Sequence, residues 1–365
     1  MLLTNNIPLL FLLIFSGALI FSAVINNLLL NFSKNLGTRK NDAVQIRWNP
    51  TSKPALGGIS FFVIFLISFI SIQFIIGQTT IYFSDKKIFG LLSSISIAFI
   101  MGLADDAYDT KPLIKSLTQF MCALILILTG TRIECFENEF LNYSLTILWV
   151  VGMMNSINML DNMDAITTIV SIGILIFISS ITIIQSHTLT PISILAIAML
   201  GSLCGFLIYN WHPSKMFMGD TGSQFLGVFL AIVGIEYCWN IKPDADNLFP
   251  IEYGTKSILV VASVFVIPLT DTITVVTNRL ARGKSPFVGG KDHTTHSLFF
   301  NGVTEKRIAL LFFSLTCIGC YLSYLIITDN NWTINKFWLY SLFPIFVFLP
   351  LFLLTHYKNK NKANS

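Results

Sequence analysis

Residues 158–185 read NMLDNMDAITTIVSIGILIFISSITIIQ. Two carboxylates, Asp161 and Asp164, stand directly before a stretch, 165–185, that contains no charged side chain. A helix needs about 20 predominantly apolar residues to cross the hydrocarbon core of a bilayer. The stretch is therefore long enough to span a membrane, and its acidic end would lie at the membrane surface.

The same alternation of long apolar runs and short polar segments continues along the 365 residues. The chain is 54% hydrophobic and only 12% charged, whereas soluble domains carry about 25% charged residues. We therefore predict an all-α, polytopic integral membrane protein that forms one transmembrane domain over residues 1–365. Eleven runs are candidate spans, namely 7–32, 56–77, 88–104, 112–130, 141–159, 165–185, 191–210, 223–240, 257–277, 307–328 and 336–355.

Basic residues are divided unevenly between the loops on the two sides of these spans. One set of loops holds 17 of the 23 Lys and Arg residues. Because cytoplasmic loops carry an excess of basic residues, we expect that side to face the cytoplasm, with the N-terminus outside and the C-terminus inside. The longest cytoplasmic loop is then 278–306. The net charge of +4 is small and gives no reason to expect a nucleic-acid partner.

Five aspartates collect on this predicted cytoplasmic side, at the ends of apolar runs: Asp105, Asp106, Asp161, Asp164 and Asp220. Carboxylates at the mouths of membrane helices are costly unless something binds them. Their position in three segments predicts one site for a divalent cation and a phosphate ligand. The adjacent carboxylates Asp105 and Asp106 repel each other, so they are candidates for a general base beside a metal ion. A solvated helix end is the alternative.

Asn155, Asn158, Asp161 and Asp164 repeat every three residues. On a helix this spacing would place them along one slowly drifting face. Such a row suits sugar or base hydroxyls and a hydrated metal ion. Helix capping is the alternative, because Asn and Asp favour caps, but one cap needs fewer polar residues than four.

The segment 218–223, MGDTGS, stands before another apolar run. Glycines let the backbone approach a ligand closely, and the N-terminus of a following helix offers free amides and a positive dipole end for a phosphate. Asp220 is therefore predicted to hold Mg²⁺ against phosphate oxygens. An ordinary turn with a Thr or Ser cap is the alternative.

Two histidines and several basic residues mark the loop 278–306. Its candidate residues are Arg279, Arg282, His293 and His296. There is no H-E-x-x-H zinc motif, so a diphosphate clamp is favoured, with simple membrane anchoring as the alternative. Asp271 could pair with Arg279 or orient a histidine. The histidines at 187, 212 and 356 are interpreted as incidental.

Together these motifs resemble those of the polyprenyl-phosphate N-acetylhexosamine-1-phosphate transferase superfamily, of the glycosyltransferase family 4 type. The resemblance extends from about Arg39 to Arg307. It rests on five features in the family's order: KPALGG at 53–58, the aspartate pair, the Asn-x-x-Asn-x-x-Asp-x-x-Asp row, FMGDTGS at 217–223, and Pro268-x-x-Asp271 with the distal His loop.

The resemblance implies ten or eleven helices in the inner (cytoplasmic) membrane, with the active site on the cytoplasmic face. It also implies Mg²⁺ as cofactor, for which Mn²⁺ could substitute, and transfer of a sugar-1-phosphate from a UDP-sugar to undecaprenyl phosphate. The step would be direct attack of the lipid phosphate with release of UMP, or a two-step route through an aspartyl-phosphate. A homodimer is compatible with the resemblance.

The resemblance further assigns roles to individual residues. Asp220 and Asp161 would be metal ligands, and Asp105 the base towards the lipid phosphate with Asp106 beside it. The remaining candidates would bind substrate: Asn158 and Asp161 near the diphosphate, Asp164 nearer the nucleoside, His293 and His296 on the diphosphate with Arg279 and Arg282 as helpers, and Lys53 in the substrate cleft.

Two departures from the family pattern bear on the donor. Asp161-Asn162-Met163-Asp164-Ala165 stands where the family usually has Asp-Gly-x-Asp-Gly, which changes the expected nucleotide contacts. His-Thr-Thr-His at 293–296 replaces the run of three histidines of the branch that uses UDP-MurNAc-pentapeptide. This favours the branch that uses UDP-GlcNAc to start O-antigen, teichoic acid or capsule glycans. The peptidoglycan branch is the alternative, and a lipid-linked sugar transporter, which would place acids near the bilayer midplane, is the rival of another class.

Overall fold

The computed structural model describes residues 7–36, 53–76, 85–186, 190–241, 250–286 and 290–363. Within these ranges the regular structure is helical apart from an isolated parallel bridge between Ala55 and Phe217. The helices are α1 (Ile7–Leu36), α2 (Gly57–Ile76), α3 (Lys86–Tyr108), α4 (Pro112–Leu128), α5 (Glu139–Leu160), α6 (Ile166–Ile181), α7 (Pro191–Asn210), α8 (Gly219–Gly234), α9 (Pro250–Val264), α10 (Val266–Ala281), α11 (Thr294–Phe300), α12 (Glu305–Thr328) and α13 (Ile334–Ala363).

The lengths and apolar character of these helices confirm the prediction of an all-α, polytopic membrane protein. Eight of the described helices are long and apolar enough to cross a bilayer, namely α1, α3, α5, α6, α7, α8, α12 and α13. The bent pair α9 and α10 is a further candidate span, and α2 and α4 are shorter apolar helices. Of the residues behind the predicted orientation, Arg39, Lys40, Arg47 and Lys242 lie outside the described ranges.

The span predicted over 257–277 is not one straight helix. The chain breaks at Phe265, and α9 and α10 meet at 83°. Pro268 lies in the first turn of α10 and has no N–H to donate back to α9, which is a common cause of such breaks. The break allows α10 to bring Asp271 to the histidine-containing segment, which itself contains the short helix α11.

Helix α8 is almost entirely buried and packs closely against α2 and α3. Glycines make this approach feasible, because a Cβ on Gly58 would lie 2.2 Å from the amide nitrogen of Gly222, and one on Gly102 would lie 2.3 Å from the Asp220 carbonyl oxygen. The N-terminus of α8, which carries Asp220, is therefore fixed against the ends of two neighbouring helices.

The segment before α2 is held to the segment before α8 by backbone hydrogen bonds. The Phe217 amide donates to the Pro54 carbonyl at 3.0 Å, and the Gly57 and Gly58 amides donate to the carbonyls of Phe217 and Met218 at 3.1 and 3.0 Å. Two sequence motifs, 53–58 and 217–223, thus form one local structure. This pairing places Lys53 beside the elements that carry the predicted site.

Candidate active site

Four helix ends meet at a cluster of oppositely charged side chains. The C-terminal ends of α3 and α5 bring Asp105 and Asn158, and the N-terminal ends of α4 and α8 bring Lys115 and Asp220. The Lys115 ammonium contacts Asp105 Oδ2 and lies 3.3 Å from Asp220 Oδ2. Asn158 Nδ2 donates to Asp220 Oδ1 at 2.6 Å and to Ser223 Oγ at 2.9 Å. Lys115 belongs to no sequence motif, although it lies only one turn into the helix that follows the aspartate pair.

Asp105 is buried and bound on both of its oxygens. Its Oδ1 accepts hydrogen bonds from the Thr110 amide at 2.8 Å and the Thr110 hydroxyl at 2.6 Å, while Oδ2 faces Lys115. The residue is 4% exposed. Buried carboxylates of this kind need paired charge or hydrogen bonds, and here both are supplied. Asp105 and Lys115 are therefore held as a preformed ion pair.

Asp106 has a different position from its neighbour, because it caps the N-terminus of α8. Its Oδ1 accepts from the Asp220 amide at 3.0 Å, and its Oδ2 accepts from the Thr221 amide at 2.8 Å and the Thr221 hydroxyl at 2.6 Å. Met218, the residue before α8, contributes no side-chain cap of its own. A carboxylate at a helix N-terminus also interacts favourably with the helix dipole. Asp106 thus supplies to α8 the cap that its own sequence lacks.

This arrangement corrects the expectation for the MGDTGS segment. Helix α8 begins at Gly219 and not at residue 223, so Asp220 belongs to its first turn. The amides of Asp220 and Thr221 were expected to be free for a phosphate, but Asp106 accepts from both. What this segment does offer is the Asp220 carboxylate, held between Asn158 and Lys115.

The row of Asn155, Asn158, Asp161 and Asp164 does not lie along one helical face. Helix α5 ends at Leu160, Asp161 is its C-cap, and Asp164 lies in the turn before α6. Asn155 exchanges hydrogen bonds of 2.8 and 3.2 Å with Gln119. Its position is thus fixed by α4, while the two acids turn away towards other elements.

Asp161 is half-buried at the end of α5. Its surroundings raise the pKa of the carboxyl to about 7, because burial disfavours the charged form and because Asp106 and Asp164 add repulsion. The negative form is therefore poorly stabilised by the protein alone. A carboxylate in this situation gains from a bound cation, which agrees with the metal-binding role expected from the resemblance.

Asp164 lies at the centre of a second cluster. Ser214 donates to it from its amide at 2.9 Å and from its hydroxyl at 2.7 Å, Lys53 Nζ lies 3.6 Å away, and His212 Nδ1 is at 3.1 Å. His212 also contacts Glu305 Oε2 at 2.8 Å. His212, which the sequence interpretation treats as incidental, therefore contacts two carboxylates. Neither His212 nor Glu305 carries a recognisable motif, and their partners come from distant parts of the chain.

The first histidine of the distal loop is oriented by Asp271. His293 Nδ1 lies 2.8 Å from Asp271 Oδ2, and Asp271 Oδ1 accepts from the Thr294 amide at 2.8 Å and the Thr294 hydroxyl at 2.6 Å. Of the two roles considered for Asp271, the structure thus confirms the orientation of a histidine. A carboxylate on Nδ1 leaves Nε2 as the nitrogen that can face a substrate.

Arg279 pairs with Asp292 instead. Its guanidinium donates to both oxygens of Asp292, at 2.9 and 2.7 Å, and to the Pro286 carbonyl at 2.8 Å, and the residue is 5% exposed. Arg279 therefore holds the loop through Asp292 and Pro286, a role that its expected part as a helper on the diphosphate does not include. Arg282 is exposed, and its Nε donates to the Asn278 carbonyl at 2.9 Å.

His296 is buried next to His293, with ring centroids 5.4 Å apart. Burial, together with the neighbouring His293, lowers the pKa of His296 to about 3, so its imidazole is neutral near pH 7. The adjacent Thr295 hydroxyl donates to Asn162 Oδ1 at 2.6 Å. That bond ties α11 to the turn that contains Asp161, so the structure brings the His loop and the aspartates together.

The segment that carries the five aspartates is similar to a known protein family. Residues 88–238 match the family model described as Glycosyl transferase family 4. This range contains the aspartates at 105, 106, 161, 164 and 220 and ends before α9. The matches confirm the superfamily that the sequence motifs predict.

Three relatives illustrate the range of names among similar proteins. The chain is 30% identical over 252 residues to a probable undecaprenyl-phosphate N-acetylglucosaminyl 1-phosphate transferase of Bacillus subtilis, covering 66% of this chain and 64% of that protein. It is 29% identical over 184 residues to a decaprenyl-phosphate N-acetylglucosaminephosphotransferase of Mycobacterium leprae, covering 46% of this chain and 44% of the relative. It is 32% identical over 169 residues to a phospho-N-acetylmuramoyl-pentapeptide-transferase of Levilactobacillus brevis, covering 46% of each. The match thus spans less than two thirds of each relative's length.

Proposed function

We propose that this chain, which belongs to the polyprenyl-phosphate N-acetylhexosamine-1-phosphate transferase superfamily, transfers a sugar-1-phosphate from a UDP-sugar to polyprenyl phosphate and releases UMP. The observation that carries the proposal is the cluster of Asp105, Lys115, Asn158 and Asp220 at the ends of apolar helices. Such a position lets a lipid phosphate in the membrane meet a water-soluble nucleotide. Acids at helix ends also favour a transferase over a transporter, which would carry them near the midplane.

Lys115, Asn158 and the two histidines have separate roles in the proposed reaction. The two substrates are both anions, so their repulsion must be offset before they can approach. Lys115 supplies a positive charge that is already located between two carboxylates, and Asn158 fixes one oxygen of Asp220. His293, which Asp271 orients, and the neighbouring His296 are the loop's candidate contacts to the diphosphate. A phosphate oxygen of the lipid then attacks the sugar-bearing phosphorus, one diphosphate bond forms, and the bond to UMP breaks.

The residues present fit a magnesium ion. The cluster supplies hard carboxylate oxygens, which Mg²⁺ prefers, and the carboxylates of Asp105 and Asp220 outnumber the single ammonium of Lys115 beside them. Asp220 and Asp161 would hold the ion. When bound, Mg²⁺ would neutralise phosphate charge during transfer.

We further propose UDP-GlcNAc as donor and undecaprenyl phosphate as acceptor, at the cytoplasmic face of the inner membrane. The His-Thr-Thr-His spacing supports this donor, as do the names of the Bacillus and Mycobacterium relatives. The Levilactobacillus relative is named for a different donor at similar identity, so UDP-MurNAc-pentapeptide is the alternative.

Mass spectrometry of the lipid product tests the donor directly. Purified protein would be incubated with undecaprenyl phosphate, Mg²⁺ and each UDP-sugar in turn, and the lipid extract would be examined. The proposal predicts undecaprenyl diphosphate bearing a single GlcNAc. A product formed only from UDP-MurNAc-pentapeptide would reassign the donor, and no lipid-linked product from any donor would reject the proposed reaction.

A further inference from the structure

Two residues that depart from the family pattern contact each other in the structure. Asn162 follows Asp161 in the turn after α5, at a position where the pattern has glycine, and Thr295 lies in the first turn of α11, within the altered histidine run. The Thr295 hydroxyl donates to Asn162 Oδ1 at 2.6 Å, although 133 residues separate the two along the chain. Because glycine has no side-chain acceptor, this hydrogen bond requires a residue other than glycine at position 162.

The Asn162 side chain is held at both of its polar atoms. Its Nδ2 donates to the Met159 carbonyl at 2.8 Å, while its Oδ1 accepts from Thr295. The Asn162 backbone amide donates to the Leu160 carbonyl, also at 2.8 Å. Thr295 is fully buried, so water has little access to its hydroxyl, and loss of the acceptor would leave a buried donor unpaired. The acceptor is therefore fixed in place before α11 docks against it.

Helix α11 is anchored from two directions. On one side, Asp271 of α10 accepts from Thr294 and orients His293. On the other side, Thr295 bonds to the turn that carries Asp161. The helix has only seven residues and no side-chain cap, and a helix of this length is not stable by itself. These side-chain contacts therefore contribute to holding α11 in position.

Both sides of the Thr295–Asn162 hydrogen bond carry residues assigned to the sugar donor. Asp161 and His296, the immediate neighbours of the pair, are expected near the diphosphate of the UDP-sugar. The lipid phosphate is assigned instead to Asp105, which lies on α3 among different partners. The pair thus joins two groups of donor-binding residues and contains none of those expected at the acceptor.

We propose that Asn162 and Thr295 are positioning residues that hold the His loop against the turn after α5 and thereby set the affinity for the UDP-sugar. Small displacements of binding groups are costly, because productive binding depends on their mutual geometry. Without the hydrogen bond, α11 would keep its contact with Asp271 but lose its link to Asp161. This inference rests on the proposed function, since the donor-binding roles belong to that reaction.

A double-mutant cycle with steady-state kinetics tests the pair, with the UDP-sugar that the wild type turns over. Asn162→Ala and Thr295→Val each remove the hydrogen bond and should raise the KM for the UDP-sugar roughly 3- to 10-fold, while kcat and the KM for polyprenyl phosphate change by less than about 2-fold. The double variant should be no worse than either single variant, because residues that act through one bond are not additive. Thr295→Ser keeps the hydroxyl and should restore the donor KM.

Thr168→Val is the matched control, because it removes a bond of the same type. The Thr168 hydroxyl donates to Asn210 Oδ1 at 2.7 Å between α6 and α7, and the variant leaves the bond from the Ala165 amide to the same oxygen in place. Its donor KM should stay within about 2-fold of the wild type, as expected for an independent site. Hydrogen–deuterium exchange reports on α11 without turnover. Exchange in residues 294–300 should rise in Asn162→Ala and Thr295→Val, and it should not rise in Thr168→Val.

The outcomes separate this inference from the proposed function. An unchanged donor KM in both single variants, additive effects in the double variant, or equal rises in the KM values of donor and lipid would reject the positioning role. If Asn162→Ala does not fold, Asn162→Gly takes its place, because the family pattern has glycine there. Absence of UMP release from folded wild-type protein with any UDP-sugar would reject the proposed function instead. Unaltered exchange in α11 would then reject the anchor as well.

Discussion

Replacement of Asp106 tests whether this aspartate stabilises the N-terminus of α8 or takes part directly in the reaction. In Asp106→Ala, the amides of Asp220 and Thr221 lose the carboxylate that accepts from them at 3.0 and 2.8 Å. In Asp106→Asn, the amide oxygen can still accept one of these bonds. Because Met218 offers no side-chain cap, nothing in the adjacent sequence replaces Asp106.

The expected cost follows from the geometry. Replacing a capping Asp by Ala costs about 0.5–2 kcal/mol, and an exposed side chain such as Asp106 should fall at the lower end, because water can replace it. One kcal/mol shifts the melting temperature of a domain of 150–250 residues by roughly 2–4 °C. We therefore expect Asp106→Ala to lower the apparent melting temperature by a few degrees, and Asp106→Asn to lower it by less.

The assay is thermal unfolding in detergent, combined with UMP release below the transition. If Asp106 works mainly as a cap, Asp106→Asn should keep more activity than Asp106→Ala. Asp109→Asn is the matched control, because it removes a charge from the same helix end, and Asn tolerates the left-handed backbone with φ of 52° found there. Equal and complete inactivation of both Asp106 variants, with unchanged melting temperatures, would refute the capping role. It would instead indicate that Asp106 takes part directly in the reaction.

Three further predictions address the remaining site residues. Asp220→Asn should reduce UMP release at least roughly 100-fold and still elute as a single folded species; near-normal turnover would exclude Asp220 as a metal ligand. Asp271→Asn should lower kcat/KM roughly 10–100-fold, because a buried hydrogen bond from His293 to a charged group is worth about 1.5–3 kcal/mol; an unchanged value would make the pair purely structural. The pKa of Asp161 is raised to about 7 from 3.8, so between these pH values the folded, metal-free protein binds more protons than the unfolded chain. Its melting temperature should therefore fall as the pH rises from about 4 to 8. Asp161→Asn should flatten that profile, and an identical slope in the variant would contradict the assignment.

The apolar runs predicted the helical membrane fold because membrane helices require an uninterrupted apolar length. The break between α9 and α10 was missed, although Pro268 is a local signal for it. The start of α8 at Gly219 had no such signal, because its cap comes from Asp106 on another helix. A capping partner that is distant in sequence cannot be inferred from the residues next to a helix.

Motifs predicted which side chains lie together, whereas residues without a motif were overlooked. Asp105, Asn158 and Asp220 meet, as expected, and Asp271 orients His293. Lys115 and His212 were missed because a lone Lys or His has no distinctive pattern, and their partners lie on other elements. Arg279 carries a charge that suits a diphosphate, but only the structure shows that Asp292 occupies its guanidinium. Sequence spacing thus identified the types of residue in the site, and packing decided which of them remain available.

Asp220 is proposed to lie in the active site of a lipid-dependent phosphotransferase, and UMP release is the measurement that tests this role. Purified protein would be given UDP-GlcNAc with or without undecaprenyl phosphate, and with Mg²⁺ or EDTA. We predict release only when lipid and Mg²⁺ are both present, and almost none from Asp220→Asn. Release at the same rate without the lipid, or no release from folded wild-type protein with any UDP-sugar, would contradict it.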